Sequence, residues 1–157
     1  MEAEMPKPSA EHEKLARLAG VWKGTENMHP SEWCPEGSTA DGVNTSRVAL
    51  GGFCVVNDYE QTVGGKTMFS GHGIYTVDPQ NNDVVMHWFD SMAGQREEFR
   101  GKWEGDILTL TSKNPMMGIM RMTYAFQADG SLASAMDCSQ DGQDWKRMFD
   151  CIYRRES

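Results

Sequence analysis

From residue 20 onward the chain is a succession of short alternating runs. Each is cut by a turn signal: Gly64-Gly65, Asp78-Pro79-Gln80-Asn81-Asn82, Gly105-Asp106, Asp129-Gly130 and Asp141-Gly142. Glycine, asparagine and aspartate reverse the chain cheaply, because they tolerate positive φ or hydrogen-bond their own backbone. Strands this regular, with no helix between them, cannot build parallel crossover units and must close as an antiparallel sandwich or barrel. One helix precedes them. Ser9 can cap it, Glu11 and Glu13 suit its positive end, Leu15, Leu18 and Ala19 form its apolar stripe, and Gly20 ends it. The expected fold class is all-β, an antiparallel sandwich or barrel with a short N-terminal helix. The length of 157 residues fits one domain, expected over residues 9–157, preceded by an arm of residues 1–8 with two prolines and no pattern.

Hairpin turns also set an expected register. A two-residue Gly64-Gly65 turn pairs Val63 with Lys66. Strict alternation then sets Gln61 opposite Met68, Tyr59 opposite Ser70 and Asn57 opposite His72. The turn at 78–83 pairs Val77 with Val84, which adds Val85, His87 and Phe89 to the His72 face; a slip of one residue would bring Trp88 there instead. Further on, Trp103 faces Leu108 and Gly101 faces Leu110. Met120, Met122, Tyr124 and Phe126 alternate along one strand, and Trp145, Arg147, Phe149, Cys151 and Tyr153 along the last. Asp58 and Glu60 take the solvent side with Phe69 and Tyr75.

Charge removes some function classes. Acidic residues outnumber basic ones by 23 to 15, a net charge of −8, which repels phosphate backbones and argues against a nucleic-acid partner. No apolar run approaches a bilayer span, so no membrane partner is expected. The acidic start, Met1-Glu2-Ala3-Glu4-Met5, does not read as a secretory leader, and the expected location is cytoplasmic. Cys34, Cys54, Cys138 and Cys151 form no C-x-x-C pair and read as free thiols, the last three as small core residues. Phosphate loops, dinucleotide fingerprints and zinc-protease helices do not occur.

Several segments carry a resemblance when taken in order. Leu15 to Gly24 holds a helix end followed by Gly20-Val21-Trp22, similar to the entry of calycin-type barrels. Met28-His29-Pro30-Ser31-Glu32-Trp33, Asp58-Tyr59-Glu60-Gln61, Gly71-His72-Gly73, His87-Trp88-Phe89-Asp90-Ser91 and Ser139 to Trp145 resemble the bacterial family named domain of unknown function 1579. The resemblance runs over about residues 11–154 and implies an antiparallel up-and-down, calycin-like, lipocalin-like β-barrel with a short N-terminal helix. It implies no activity. The methionine-rich stretch Asn114 to Met120 departs from the polar sequence expected there.

The candidate site follows from the register. Asn57, Tyr59, Gln61, His72, His87 and Phe89 would share an inner face, with Arg147 in phase with Trp145 and Phe149. Apolar wall with a few polar groups is the composition of a small-ligand cavity. The reading is a small-molecule binding barrel for a hydrophobic or mixed-polarity ligand, with the cofactor unknown and no metal assigned. One alternative is a metal-assisted or histidine-dependent enzyme in which His72 and His87, with His29 as a third ligand, serve as base or ligands. Another is a structural homodimer module that uses Trp88 and Tyr75 as an outward patch. Arg147 could clamp a ligand carboxylate or form a structural ion pair.

Overall fold

A computed structural model describes residues 3–32 and 34–156. Trp33, part of one motif above, lies outside the described residues, as do Met1, Glu2 and Ser157. Helix α1 (Ala10–Leu15) runs into a single 3-10 turn, Ala16–Leu18. Ten strands follow: β1 (Gly20–Met28), β2 (Ser38–Ala49), β3 (Cys54–Val63), β4 (Lys66–Asp78), β5 (Asp83–Asp90), β6 (Glu97–Glu104), β7 (Ile107–Asn114), β8 (Gly118–Phe126), β9 (Leu132–Ser139) and β10 (Lys146–Glu156). Each pairs antiparallel with the next, and β10 closes on β1. The result is the expected up-and-down barrel with a short N-terminal helix. No helix among the described residues is long and apolar enough to cross a membrane.

The helix plugs one end. Leu15 and Leu18 are buried in the same apolar cluster as Trp22, Trp103 and Leu132. Trp22 donates its indole N–H to the Leu18 carbonyl at 3.0 Å, and Phe126 stacks on Trp103 with centroids 6.1 Å apart. Arg17 lies over Phe126 and pairs with Asp106 at 2.8 Å, tying the 3-10 turn to the β6–β7 turn. The other end carries the β1–β2, β3–β4, β5–β6, β7–β8 and β9–β10 connections and forms the mouth.

Most hairpin pairings match the expected register. Val63 faces Lys66 across Gly64 and Gly65, whose φ of 59° and 80° suit the right-handed twist of a two-residue hairpin. Val77 faces Val84, Trp103 faces Leu108, and Gly101 faces Leu110. Two bulges then change which face several residues take. In β4, Thr67 pairs with Thr62 but Phe69 pairs with Gln61, so Met68 is an extra residue. In β10, Arg147 pairs with Asp137 but Phe149 pairs with Met136, so Met148 is extra. An extra residue in one strand moves every later side chain to the other face.

The first bulge corrects the β4 and β5 assignments together. Asn57 faces Gly73, not His72, and His72 faces Asp58 on the outer wall. His87 and Phe89 do share a face with His72, as expected, but that face is outside. The inner face of β4 holds Phe69, Gly71, Gly73, Tyr75 and Val77, and that of β5 holds Val84, Met86, Trp88 and Asp90. Trp88 and Tyr75 therefore point inward and form no outward dimer patch; Tyr75 is buried.

Candidate functional site: the barrel lumen

The polar focus of the interior is Glu26, a residue the sequence reading passed over. It lies two places beyond Gly24 and four beyond Trp22 on β1, in phase with that buried indole, and is 0% exposed. Tyr59 Oη lies 2.6 and 2.7 Å from its two carboxylate oxygens. Gln61 donates Nε2–H to Oε1 at 3.0 Å, and Tyr153 donates its phenol to Oε2. A buried carboxylate is tolerated when donors surround it. Gly42, opposite Gly24, makes room: a Cβ there would overlap the Glu26 side chain. Burial first, and then the adjacent Glu26 charge, raise both phenols far above their ordinary range, so both keep their protons and donate. The same causes push the Cys151 thiol up to about 12, which makes it an inert wall group.

Of the expected site residues, the structure brings Asn57, Tyr59 and Gln61 together on the inner face of β3. Asn57 is bound to Ser46 at 2.8 Å and Asn44 at 3.2 Å. His72, His87, Phe89 and Arg147 are elsewhere. His72 Nδ1 is 2.7 Å from Asp58 Oδ1 and, with Phe89, borders a shallow outer groove that also includes Thr45, Glu60 and Ser70. His87 sits beside Arg96 on the outer wall. The second bulge separates Arg147 from Phe149. Arg147 instead donates Nε–H to Asp137 at 2.6 Å, and Arg121 reaches the same carboxylate at 3.2 Å. Of its two sequence readings, the ion pair describes its contacts.

His29 is bonded to Asp150 at 2.7 Å, on the β1–β10 side, so the three histidines do not converge. Among the described residues no group of three or more His, Cys, Asp or Glu side chains is placed to hold a metal ion.

The rest of the lumen wall is mostly apolar, with Asn44, Ser46 and Ser134 also on inward rows. Met122, Tyr124, Met136 and Phe149 point inward yet remain half-buried. Tyr124 lies deep enough that burial pushes its phenol up to about 12, and it shares a 2.9 Å hydrogen bond with Tyr75.

At the mouth, Asp90 accepts the Trp88 indole N–H at 2.9 Å, and Glu97 accepts from Asn114 at 3.2 Å. Burial, and secondly the Asp90 charge, raise the Glu97 pKa. A carboxyl with a raised folded pKa stabilises the fold most when protonated. Its contribution is full below the unfolded value and is lost as pH rises through the folded one. Glu97→Gln is therefore expected to flatten the stability profile just above pH 4.5, the ordinary glutamate value, and to stabilise at neutral pH. The half-exposed site limits the gain to about 0.5 kcal/mol. Urea unfolding of both proteins at several pH values checks this, and a larger loss at neutral pH for the variant contradicts it.

The fold and this interior define a closed β-barrel with a partly polar lumen. The chain belongs to the family described as "Protein of unknown function (DUF1579)", whose model matches residues 7–155. It is similar in fold to the crystal structure of Rv2717c from M. tuberculosis, with a TM-score of 0.71 and 16% identity over 95% of this chain and 99% of that one. None of the curated proteins matches the chain.

Proposed function

We propose that the protein is a small-molecule binding barrel whose ligand enters the lumen from the end opposite the helix. The observation that carries this reading is the residual accessible surface of the inward Met122, Tyr124, Met136 and Phe149. A barrel interior without a function to serve is closed by side chains, because empty space forfeits contacts. Here the helix end is sealed by Trp22, Trp103, Leu15 and Leu18, while the middle and mouth keep free surface beside the Glu26, Tyr59 and Gln61 cluster. Apolar wall with one polar anchor suits a ligand of mixed polarity.

Native mass spectrometry of the purified protein, together with tryptophan fluorescence during titration with 1-octanol, tests this reading. The expected result is saturable binding that Met122→Trp blocks by filling the lumen and that His72→Ala on the outer wall leaves unchanged. Binding that survives Met122→Trp and is lost in His72→Ala would move the site to the outer groove. No binding of octanol and no copurified molecule would sink the lumen reading.

A further inference from the structure

Three aromatic rings meet at the mouth half of the lumen. Tyr59 lies 5.9 Å from Phe69 at an interplanar angle of 63° and 6.2 Å from Trp88 at 48°, so neither neighbour is stacked on it. All three are inward and half-buried. Trp88 rests against the β4 backbone where Gly71 and Gly73 have no side chain; a Cβ on Gly73 would come within 3.2 Å of the indole. The glycines thus set the indole against the wall, and Asp90 holds its N–H at 2.9 Å.

The polar groups beside these rings have spent their donors on one another. The Tyr59 hydroxyl proton goes to Glu26, and Gln61 Nε2 serves Glu26 at 3.0 Å and Tyr59 at 3.2 Å. Trp88 serves Asp90, and the Asn114 amide serves Glu97. What remains for a guest is π faces, the Gln61 carbonyl oxygen, carboxylate lone pairs and the Asn44 amide opposite Tyr59. Charge is equally one-sided. Glu26, Asp90 and Glu97 occupy the inner rows, and among the described residues the basic ones in register with inward positions are Lys66 and Lys146, exposed at strand ends, and Arg155, which lies over Trp22 at the helix end. None of the three carboxylates is paired with a lysine, arginine or histidine in an ion pair among the described residues.

We propose that the mouth of the lumen binds the cationic head of an alkylammonium ligand, with Trp88, Tyr59 and Phe69 around the cation, Asp90 and Glu97 as its counter-charges, and the apolar tail directed toward Met122 and Phe149. Aromatic faces attract a desolvated cation, and nearby carboxylates strengthen the attraction where water is excluded. The same wall disfavours a carboxylate head, which would meet like charge. This inference rests on the lumen reading above and adds the ligand's chemical class.

The test compares three probes of equal chain length by titration calorimetry: octyltrimethylammonium, 1-octanol and octanoate. Salt at 0.5 M screens the protein's general negative charge, so that the contacts inside the lumen decide the order. The ammonium is expected to bind at least about tenfold tighter than octanol, and octanoate more weakly than either. The Asp90→Asn/Glu97→Gln double variant is expected to lose about tenfold for the ammonium and to keep its octanol affinity. Octanol and octanoate binding as tightly as the ammonium overturns the cation assignment and leaves the lumen reading standing. Failure of all three to bind overturns both. The wild-type comparison decides the question even where the double variant does not fold.

Discussion

Replacing Glu26 with alanine is expected to lower the unfolding free energy by about 3–5 kcal/mol. The loss comes from the partners rather than from the carboxylate itself. Tyr59, Tyr153 and Gln61 all donate to it, and Tyr153 is 3% exposed, so water does not readily replace the lost acceptor. A buried donor left unsatisfied costs about 1–3 kcal/mol, and three donors share this acceptor. Glu26→Gln keeps the volume and one acceptor oxygen but turns an amide N–H toward a phenol, so about half the loss is expected. Urea unfolding with a common m-value measures both variants. If Glu26→Ala stays within about 1 kcal/mol of the parent, the cluster is not what organises the β1–β3–β10 wall.

The second large effect is expected at Gly101. This residue sits opposite Leu110 on the inner face of β6, and a Cβ there would overlap the Thr109 carbonyl and approach the Thr109 carbonyl carbon at 2.8 Å. The obstacle is backbone of the adjacent strand, so no rotamer change relieves it. Gly101→Ala has to push β6 and β7 apart, at a cost of about 3 kcal/mol or more. Gly71→Ala gives the comparison. Its Cβ would meet the Trp88 ring, a side chain that can turn, and about 1–2 kcal/mol is expected. Thermal and urea unfolding of the two variants side by side checks the order; equal costs, or a larger one at Gly71, contradict the backbone argument. Gly71→Ala also displaces the indole from the proposed cation site, so it is expected to weaken ammonium binding where Gly101→Ala, if folded, does not.

Part of the candidate site was legible in the sequence and part was not. Asn57, Tyr59 and Gln61 alternate along β3 with no irregularity in that strand, and they do face the lumen. Glu26 carried the same kind of signal, a fixed period from Trp22 along β1, but a lone glutamate in a strand reads as solvent-facing until its donors are known. Those donors come from β3 and β10, separated by up to 127 positions from Glu26 in the chain. Gly71 and Gly73, which flank His72, have an aromatic ring lying on the strand beside them. The ring is Trp88, and it lies on the inner side with the glycines, while His72 points out.

Sequence alone determined the strands, their turns and their antiparallel order behind a short helix, while the residue pattern left sandwich or barrel open. These are local matters: period-two alternation, turn residues with the right φ, and hairpins of two to a few residues leave little choice of partner. The pairs next to each turn, Val63 with Lys66 and Val77 with Val84, were settled at the same level. Tertiary structure alone decided which face of β4, β5 and β10 looks inward. That choice turned on Met68 and Met148, two ordinary residues whose insertion as bulges depends on strand twist and on which side chains fill the lumen. Because side chains alternate with a period of two, one extra residue in β4 exchanged His72 and His87 for Phe69 and Trp88 inside the barrel.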